Sequence, residues 1–218
     1  MKKIITMVLS LTMLVLGCAA CSGTKDDTKA SPSPSAPAET AEATEAPADL
    51  YANKINFTIE MENGGVMKGE LYPDVAPKTV ENFVKLAGEK FYDGLIFHRV
   101  IPGFMIQGGG FDKDFKQKKA DSIKGEFTSN GFKNELKHTR GVISMARTSV
   151  PDSASSQFFI MHEDSPSLDG QYAAFGRITE GLDVVDEIAE TETGSKPELG
   201  MDDVPTEMQV IKTITIQK

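Results

Sequence analysis

Eight short segments of this 218-residue chain show the residue pattern of β-strands, and they constrain its fold more than any other feature. The first two alternate apolar and polar residues on either side of Asn63-Gly64-Gly65, which favours a tight turn and therefore a β-hairpin. The other segments are short and mostly apolar. We predict strands at Ile55–Met61, Val66–Tyr72, Gly94–Arg99, Phe104–Gln107, Gly141–Ala146, Gln157–Met161, Ala173–Arg177 and Gln209–Ile216.

Two further segments have helical periodicity. Pro77 stands at a first-turn position, apolar residues recur at helical spacing from Val80 to Ala87, and Gly88 provides a stop. A second, shorter helix fits Leu182–Ile188. Two helices among many short strands predict an all-β (mainly β) fold, either a barrel or a sandwich, without a second folded domain.

Residues 1–21 are predicted to be a leader rather than part of this fold. Lys2 and Lys3 precede Ile4–Leu16, an uncharged run that is too short to span a membrane as a mature helix. Its length is that of a signal-peptide hydrophobic region. The chain's two cysteines, Cys18 and Cys21, follow this run directly.

The end of this run resembles the lipobox of bacterial lipoproteins, in which a cysteine after small residues receives a diacylglyceryl thioether. Cys18 fits the pattern, with Val15 three positions before it and Gly17 directly before it. Cys21 is the alternative, although Cys18 then occupies a position that is usually aliphatic. The resemblance implies a lipid-anchored protein on the extracytoplasmic face of the cell membrane. An ordinary secretory signal is the remaining alternative.

Residues 22–50 contain four prolines among Ser, Thr, Ala and Glu, with no apolar period. Such a segment buries too little apolar surface to offset its conformational entropy, so we predict a disordered linker. We assign residues 51–218 to one folded domain. The net charge of −9 argues against a nucleic-acid partner, because phosphate binding needs a concentrated positive surface.

One segment that is apolar almost throughout carries two polar residues, Arg99 and Gln107, that strand chemistry does not explain. Counting in twos from Arg99 reaches Met105 and Gln107, so these side chains share one face of an extended chain. Phe104 has the opposite parity and would join them through a twist or bulge at the Pro-Gly step before it. A guanidinium, an amide and large apolar side chains on one surface suit a ligand that is apolar at one end and carries backbone carbonyls at the other.

The rest of the chain offers neither a nucleophile nor a metal site. Residues 51–218 lack cysteine, and none of the histidines, His98, His138 and His162, has a second metal ligand at a zinc-like spacing. His138 is interpreted as part of a polar turn. We therefore expect no metal and no cofactor. A reaction that makes and breaks no covalent bond would need neither.

Four segments carry a resemblance to a known family: Phe97–Gly109, Gly141–Arg147, Ser156–Ile160 and Leu168–Gly176. In this order they are similar to the signature segments of the cyclophilins, a family of peptidyl-prolyl cis-trans isomerases. The resemblance covers residues 53–217. It implies a closed eight-stranded antiparallel barrel capped by two α-helices, with isomerisation of X-Pro peptide bonds as the activity.

The resemblance also implies roles for individual residues. Arg99 and Gln107 would be catalytic, the arginine as a donor to the prolyl nitrogen and the glutamine as an amide that contacts the substrate carbonyl and orients the arginine. The other matched positions would bind substrate. Of these, Phe104, Met105, Phe159 and Leu168 would wall the proline pocket, Tyr172 would lie at its end, and Ala146, Arg147 and Gln157 would line the adjoining groove.

Three positions depart from the family pattern. Arg147 stands where asparagine is frequent, and Tyr172 stands where many eukaryotic members have histidine. Ser167 replaces a tryptophan that helps to bind cyclosporin in the family. We therefore expect weak inhibition by cyclosporin and an intact isomerase core.

The predicted function is a membrane-tethered prolyl isomerase that assists the folding of exported proteins at the cell surface. Its expected partners are proline-containing polypeptides, and its expected state is a monomer. The alternative is a catalytically weak, lipid-anchored module that holds proline-containing segments as a chaperone. Intact Arg99, Phe104, Gln107 and Phe159 favour the enzyme, because a pure binder does not need a cation at the prolyl nitrogen.

Overall fold

A computed structural model describes residues 51–197 and 200–217 of the chain. The predicted leader, the lipidation candidates Cys18 and Cys21, and the predicted linker of residues 22–50 lie outside the described residues. Within residues 51–197 and 200–217, no helix has the length and apolar character needed to cross a membrane.

Besides two short 3₁₀-helices at Thr128–Asn130 and Pro166–Leu168, the described residues form ten β-strands and two α-helices. In chain order they are β1 Ile55–Met61, β2 Val66–Leu71, α1 Pro77–Gly88, β3 Leu95–Ile101, β4 Met105–Asp112, β5 Val142–Met145, β6 Phe158–Met161, β7 Ala174–Glu180, α2 Leu182–Ala189, β8 Thr193–Lys196, β9 Met201–Pro205 and β10 Gln209–Ile216.

Eight of these strands form a closed antiparallel barrel in the order β1-β10-β3-β4-β6-β5-β7-β2. The predicted hairpin is present, because β1 pairs with β2 and the side chain of Asn63 accepts a hydrogen bond from the Gly65 N–H in the turn. Gly64 has a φ of 94°, a conformation in which glycine avoids the steric penalty of a side chain. The predicted eight-stranded barrel with two helices is confirmed.

The barrel interior is filled by aromatic and aliphatic side chains. Phe83, from the apolar face of α1, contacts the rings of Phe57, Phe158 and Phe175 from three different strands. Burial of such large side chains supplies most of the driving force for closing the barrel. The amide groups at the start of α1 donate to the buried carboxylate of Glu126, which satisfies them in place of a local cap.

The two-stranded sheet of β8 and β9 was not predicted. This sheet is not part of the barrel, and its strand β9 packs against the barrel strand β3. Its strands read Thr-Gly-Ser-Lys and Met-Asp-Asp-Val-Pro, which lack the apolar alternation on which strand prediction depends. This additional hairpin lies beside the barrel strand that carries Arg99.

Candidate active site

A cavity of about 170 Å³ opens on the barrel surface where β3, β4 and β6 lie side by side. Nine of the ten side chains predicted to act on substrate line it. They are Arg99, Phe104, Met105, Gln107, Ala146, Arg147, Phe159, Leu168 and Tyr172. The tenth, Gln157, lies next to the cavity, where its Oε1 accepts a hydrogen bond of 3.0 Å from Nε2 of Gln107.

Strand register brings the polar and aromatic members of the site together. Arg99 on β3 is the direct partner of Gln107 on β4, which in turn is the partner of Phe159 on β6. Residues in register on neighbouring strands point to the same face of a sheet. The three side chains therefore form one row across the barrel surface.

The link between Arg99 and Gln107 differs from the predicted one. Counting in twos along an extended chain predicts that both residues lie on one strand, whereas the chain reverses between them at Pro102–Phe104. The two residues face each other across a hairpin rather than following each other along one strand. Phe104 consequently needs no bulge to reach the site, because it occupies the turn itself.

The turn that carries Phe104 is held by His162, a residue to which the sequence analysis gave no role. The Gly103 N–H donates a hydrogen bond of 2.8 Å to Nδ1 of His162, and the His162 N–H donates one of 3.0 Å to the Phe104 carbonyl. Gly103 has a φ of 74°, which disfavours any residue with a side chain. These contacts fix the rim of the cavity on the Phe104 side.

The apolar wall of the cavity centres on Phe159. Its ring makes an edge-to-face contact with Tyr172, with the ring centroids 5.7 Å apart. Phe159 is 5% exposed and shares an apolar cluster with Met105, against which Phe104 and Leu168 also pack. These side chains give one side of the cavity an apolar surface.

His138 supports Phe159 from behind, and the interpretation of this histidine as part of a polar turn is wrong. Its ring is buried and stacks on Phe159 at a centroid distance of 6.0 Å. The Nδ1 atom lies 3.2 Å from the carboxylate of Asp169, and Nε2 lies 3.0 Å from the hydroxyl of Ser144. Burial lowers the pKa of His138 more than the carboxylate raises it, so the ring is neutral. Nδ1 then donates to Asp169, and Nε2 accepts from Ser144.

The guanidinium of Arg147 is bound to the protein rather than directed into solvent. Its Nε and Nη2 atoms donate to the carbonyl of Gln171, and its Nη1 atom donates to the carbonyl of Thr148. Its central carbon also lies 4.8 Å from the ring centroid of Phe127 and 4.7 Å from that of Tyr172. Arg147 thus holds Tyr172 in place through a cation–π contact.

Arg99 is the other cation of the cavity, and 41% of its side chain is exposed. Its Nε atom lies 3.5 Å from the Oδ2 atom of Asp203 on β9. Within the described residues, no hydrogen bond joins the side chains of Arg99 and Gln107, and the amide of Gln107 donates to Gln157 instead. The terminal guanidinium nitrogens are left without a protein partner in this part of the chain.

The chemical character of the site follows from these contacts. The side chains that line the cavity include no carboxylate. No group of three or more His, Cys, Asp or Glu side chains in residues 51–197 and 200–217 has an arrangement that could hold a metal ion. The cavity therefore combines apolar walls with a guanidinium and an amide, an arrangement suited to a peptide with a compact apolar side chain.

Comparisons with known proteins agree with this geometry. Residues 56–216 match the family model described as cyclophilin type peptidyl-prolyl cis-trans isomerase/CLD. The chain is 47% identical to a peptidyl-prolyl cis-trans isomerase of Acinetobacter baylyi over 170 residues, 74% of this chain and 85% of that protein. It is 44% identical to peptidyl-prolyl cis-trans isomerase B of Escherichia coli over 165 residues, 72% of this chain and 96% of that protein.

A solved structure gives the same result. The crystal structure of a cyclophilin type peptidyl-prolyl cis-trans isomerase from Cryptosporidium parvum superposes with a TM-score of 0.64 at 29% sequence identity. The match covers 76% of this chain and 98% of that chain. The chain therefore belongs to the cyclophilin family and is a peptidyl-prolyl cis-trans isomerase.

Proposed function

We propose that Arg99 and Gln107 catalyse the isomerisation and that the other lining residues bind the proline-containing segment. Resonance gives a peptide bond a rotational barrier of about 18–20 kcal/mol. When the amide twists, resonance is lost, the prolyl nitrogen regains a lone pair, and the carbonyl oxygen loses partial negative charge. A site that binds the twisted amide more strongly than the planar one lowers the barrier.

Arg99 suits this task because its guanidinium is always charged and offers N–H donors in fixed directions. The observation that carries the proposal is that these donors line the same cavity as the apolar wall of Phe104, Met105, Phe159 and Leu168. The wall would hold the proline ring while a terminal nitrogen of Arg99 donates to the prolyl nitrogen of the twisted amide. Such a bond forms only in the transition state, so it accelerates the reaction.

The adjoining groove would bind the chain that precedes the proline. Gln107 would contact a substrate carbonyl, and its hydrogen bond to Gln157 keeps its amide group in one orientation. The backbone around Ala146 would meet the substrate backbone, with Tyr172 closing the end of the pocket. In support, a second crystal structure of the Cryptosporidium isomerase, with 30% identity and a TM-score of 0.63, was obtained in the presence of the dipeptide Ala-Pro.

The test is a protease-coupled assay on the purified full chain with a proline-containing peptide that the protease cleaves only in its trans form. Arg99→Ala should lower kcat/KM about 100-fold or more, the cost of removing one donor that acts in the transition state. Arg177→Ala is the matched control, because Arg177 is exposed on β7 and does not line the cavity. Unchanged circular dichroism would show that both variants are folded. Equal kcat/KM in the parent and in Arg99→Ala would overturn the catalytic role of Arg99.

The cellular part of the proposal is that this isomerase acts on exported proteins at the extracytoplasmic face of the cell membrane. The hydrophobic run before Cys18 and Cys21 supports export and lipid attachment, and the proline-containing residues 22–50 would serve as a spacer. Its partners would be proline-containing polypeptides, which a monomer could bind through the cavity described above.

A further inference from the structure

The side chain of Arg99 contacts a residue that lies outside the barrel. The one polar contact that its guanidinium makes with the described residues is the ion pair with Asp203, in which Nε and Oδ2 are 3.5 Å apart. Both side chains are about 40% exposed. Ion pairs at such exposure contribute little to stability, because solvent screens them. Even a weak ion pair, however, can determine the direction in which the guanidinium points.

Arg99 lies between two cavities, and Asp203 belongs to the second one. A cavity of about 320 Å³ is lined by His98, Arg99 and residues 200–203, so Arg99 lines both this cavity and the proline pocket. Asp203 lines only the second cavity. The carboxylate therefore engages Nε from the side away from the proline pocket. No contact with the described residues occupies the two terminal nitrogens, so they are available to a ligand in the proline pocket.

The backbone of β9 is distorted where it presents this carboxylate. Gly194 pairs with Val204 and Lys196 pairs with Met201, so β9 contains one residue more than β8 between these pairs. This is a β-bulge, a feature that redirects side chains and is common next to active sites. Asp203 lies in the bulge with a φ of 57°, which is unfavourable for a residue with a side chain. Unfavourable backbone conformations persist where the surrounding structure imposes them, and they cluster at functional sites.

We propose that Asp203 is a positioning residue for Arg99, and that the hairpin of β8 and β9 orients the arginine for catalysis. The carboxylate holds Nε, fixes the plane of the guanidinium and directs the terminal nitrogens to the prolyl nitrogen. This inference rests on the catalytic role proposed for Arg99. It assigns to Asp203 the orienting function that the family resemblance gave to Gln107.

The first test compares Asp203→Asn with Asp202→Asn in the purified full chain. Asparagine tolerates the left-handed conformation about as well as aspartate, so the bulge is retained while the charge is lost. Asp202 is the adjacent, exposed carboxylate of the same bulge and makes no ion pair with the described residues.

For Asp203→Asn, kcat should fall about two- to fivefold with KM unchanged, as expected for an exposed ion pair whose benefit appears only in the transition state. Asp202→Asn should keep the parent kcat. Equal loss in both variants would overturn the proposal in favour of a general effect of charge.

A second variant separates positioning from backbone support. Asp203→Gly removes the carboxylate and fits the positive φ without strain. We expect a melting temperature equal to or above that of the parent together with a reduced kcat. If Asp203→Gly has the same kcat as the parent, the residue at this position affects only the backbone conformation and not the orientation of Arg99. NMR provides a direct signature, because the Nε–H proton of Arg99 should exchange with solvent faster in Asp203→Asn and Asp203→Gly than in the parent.

The two proposals fail in different ways. In an Arg99→Ala background, Asp203→Asn should cause no further loss of kcat, since the carboxylate acts through the arginine. If Arg99→Ala has the same kcat as the parent, both the catalytic role of Arg99 and the positioning role of Asp203 are overturned. Loss of rate in Arg99→Ala combined with parent kcat in Asp203→Asn would overturn only the positioning role.

Discussion

Phe158 and Phe159 are neighbours in the chain, but their rings belong to two separate apolar clusters on opposite faces of β6. Phe158 is fully buried in the barrel core, with its ring edge-to-face to that of Phe83. Phe159 packs with Met105 and contacts Tyr172 at the cavity. Because side chains alternate along a strand, Phe158 packs in the barrel core and Phe159 lines the wall of the cavity.

This alternation predicts different results for the same substitution at the two positions. Phe158→Leu and Phe159→Leu should each lower the free energy of unfolding by about 0.5–3 kcal/mol, because both remove buried aromatic contacts. Only Phe159→Leu should raise the KM for a proline peptide, by about fivefold or more, since loss of one group from an apolar pocket costs about 1–3 kcal/mol of binding. Urea denaturation and the protease-coupled assay measure the two effects. An unchanged KM in Phe159→Leu would show that Phe159 serves packing alone.

Arg147 predicts a second effect on binding, through Tyr172. Arg147→Ala removes the cation–π contact with this ring and the donors to the Gln171 carbonyl, so Tyr172 should lose its fixed position and peptide affinity should fall about two- to fivefold, as expected for a contact of about 0.5–1 kcal/mol. Arg147→Lys should not restore affinity, because an ammonium cannot reproduce the planar fork of donors. Titration of a proline peptide by NMR measures the affinity, and full affinity in Arg147→Lys would show that the charge alone matters.

The strands were predictable from sequence because each carries apolar alternation or a short apolar run, and eight such segments close into one barrel. The row formed by Arg99 and Gln107 was anticipated from parity, but its cause, a hairpin, depends on pairing that parity does not reveal. The ion pair of Arg99 with Asp203 joins residues about 100 positions apart through a hairpin with no apolar pattern. Proximity of that kind is decided by tertiary packing, so only the structure shows it.

The burial of His98 predicts a dependence of stability on pH. Burial lowers the pKa of His98 to about 4, against an ordinary value of 6.5. The unfolded chain therefore binds a proton at this histidine below about pH 6.5, while the folded chain stays neutral until about pH 4. The contribution of the neutral His98 to the free energy of unfolding is therefore fully present above about pH 6.5. It is lost as the pH falls to about 4, and the loss is about 3 kcal/mol at most.

The test compares the free energy of unfolding of the parent and of His98→Gln from pH 7.5 to 4 by urea denaturation, with steps of about 0.5 pH unit, since the slope reports the difference in bound protons. The variant should show a smaller loss of stability on acidification than the parent. His138, whose pKa burial also lowers, remains in both proteins and adds the same background. Parallel curves for the two proteins would contradict a neutral, buried His98.

Ser167 predicts weak inhibition by cyclosporin. It is exposed in the turn Pro166–Leu168 beside the cavity, and its hydroxyl lies 3.3 Å from that of Ser165. The family resemblance described above implies that an indole at this position helps to bind the inhibitor. Ser167→Trp should therefore lower the inhibition constant about tenfold, the order expected for one buried hydrogen bond plus aromatic area. The rate without inhibitor should remain that of the parent. If the parent is already inhibited as strongly as Ser167→Trp, another position determines affinity.

The last prediction concerns attachment to the membrane. One acyl chain gives only marginal, reversible binding to a bilayer, whereas a diacylglyceryl cysteine carries two chains and should hold the protein stably. When the full chain is expressed in a bacterial host, the parent should fractionate with membranes as a processed form. A variant in which both Cys18 and Cys21 are replaced by serine should be released or remain as an unprocessed precursor.

The single variants identify the acylated residue, because only loss of that cysteine should abolish labelling by a radioactive fatty acid. Replacement of Ser22 by alanine serves as a control that leaves both cysteines in place. A double variant that still fractionates with membranes as a correctly trimmed chain would contradict the lipid anchor.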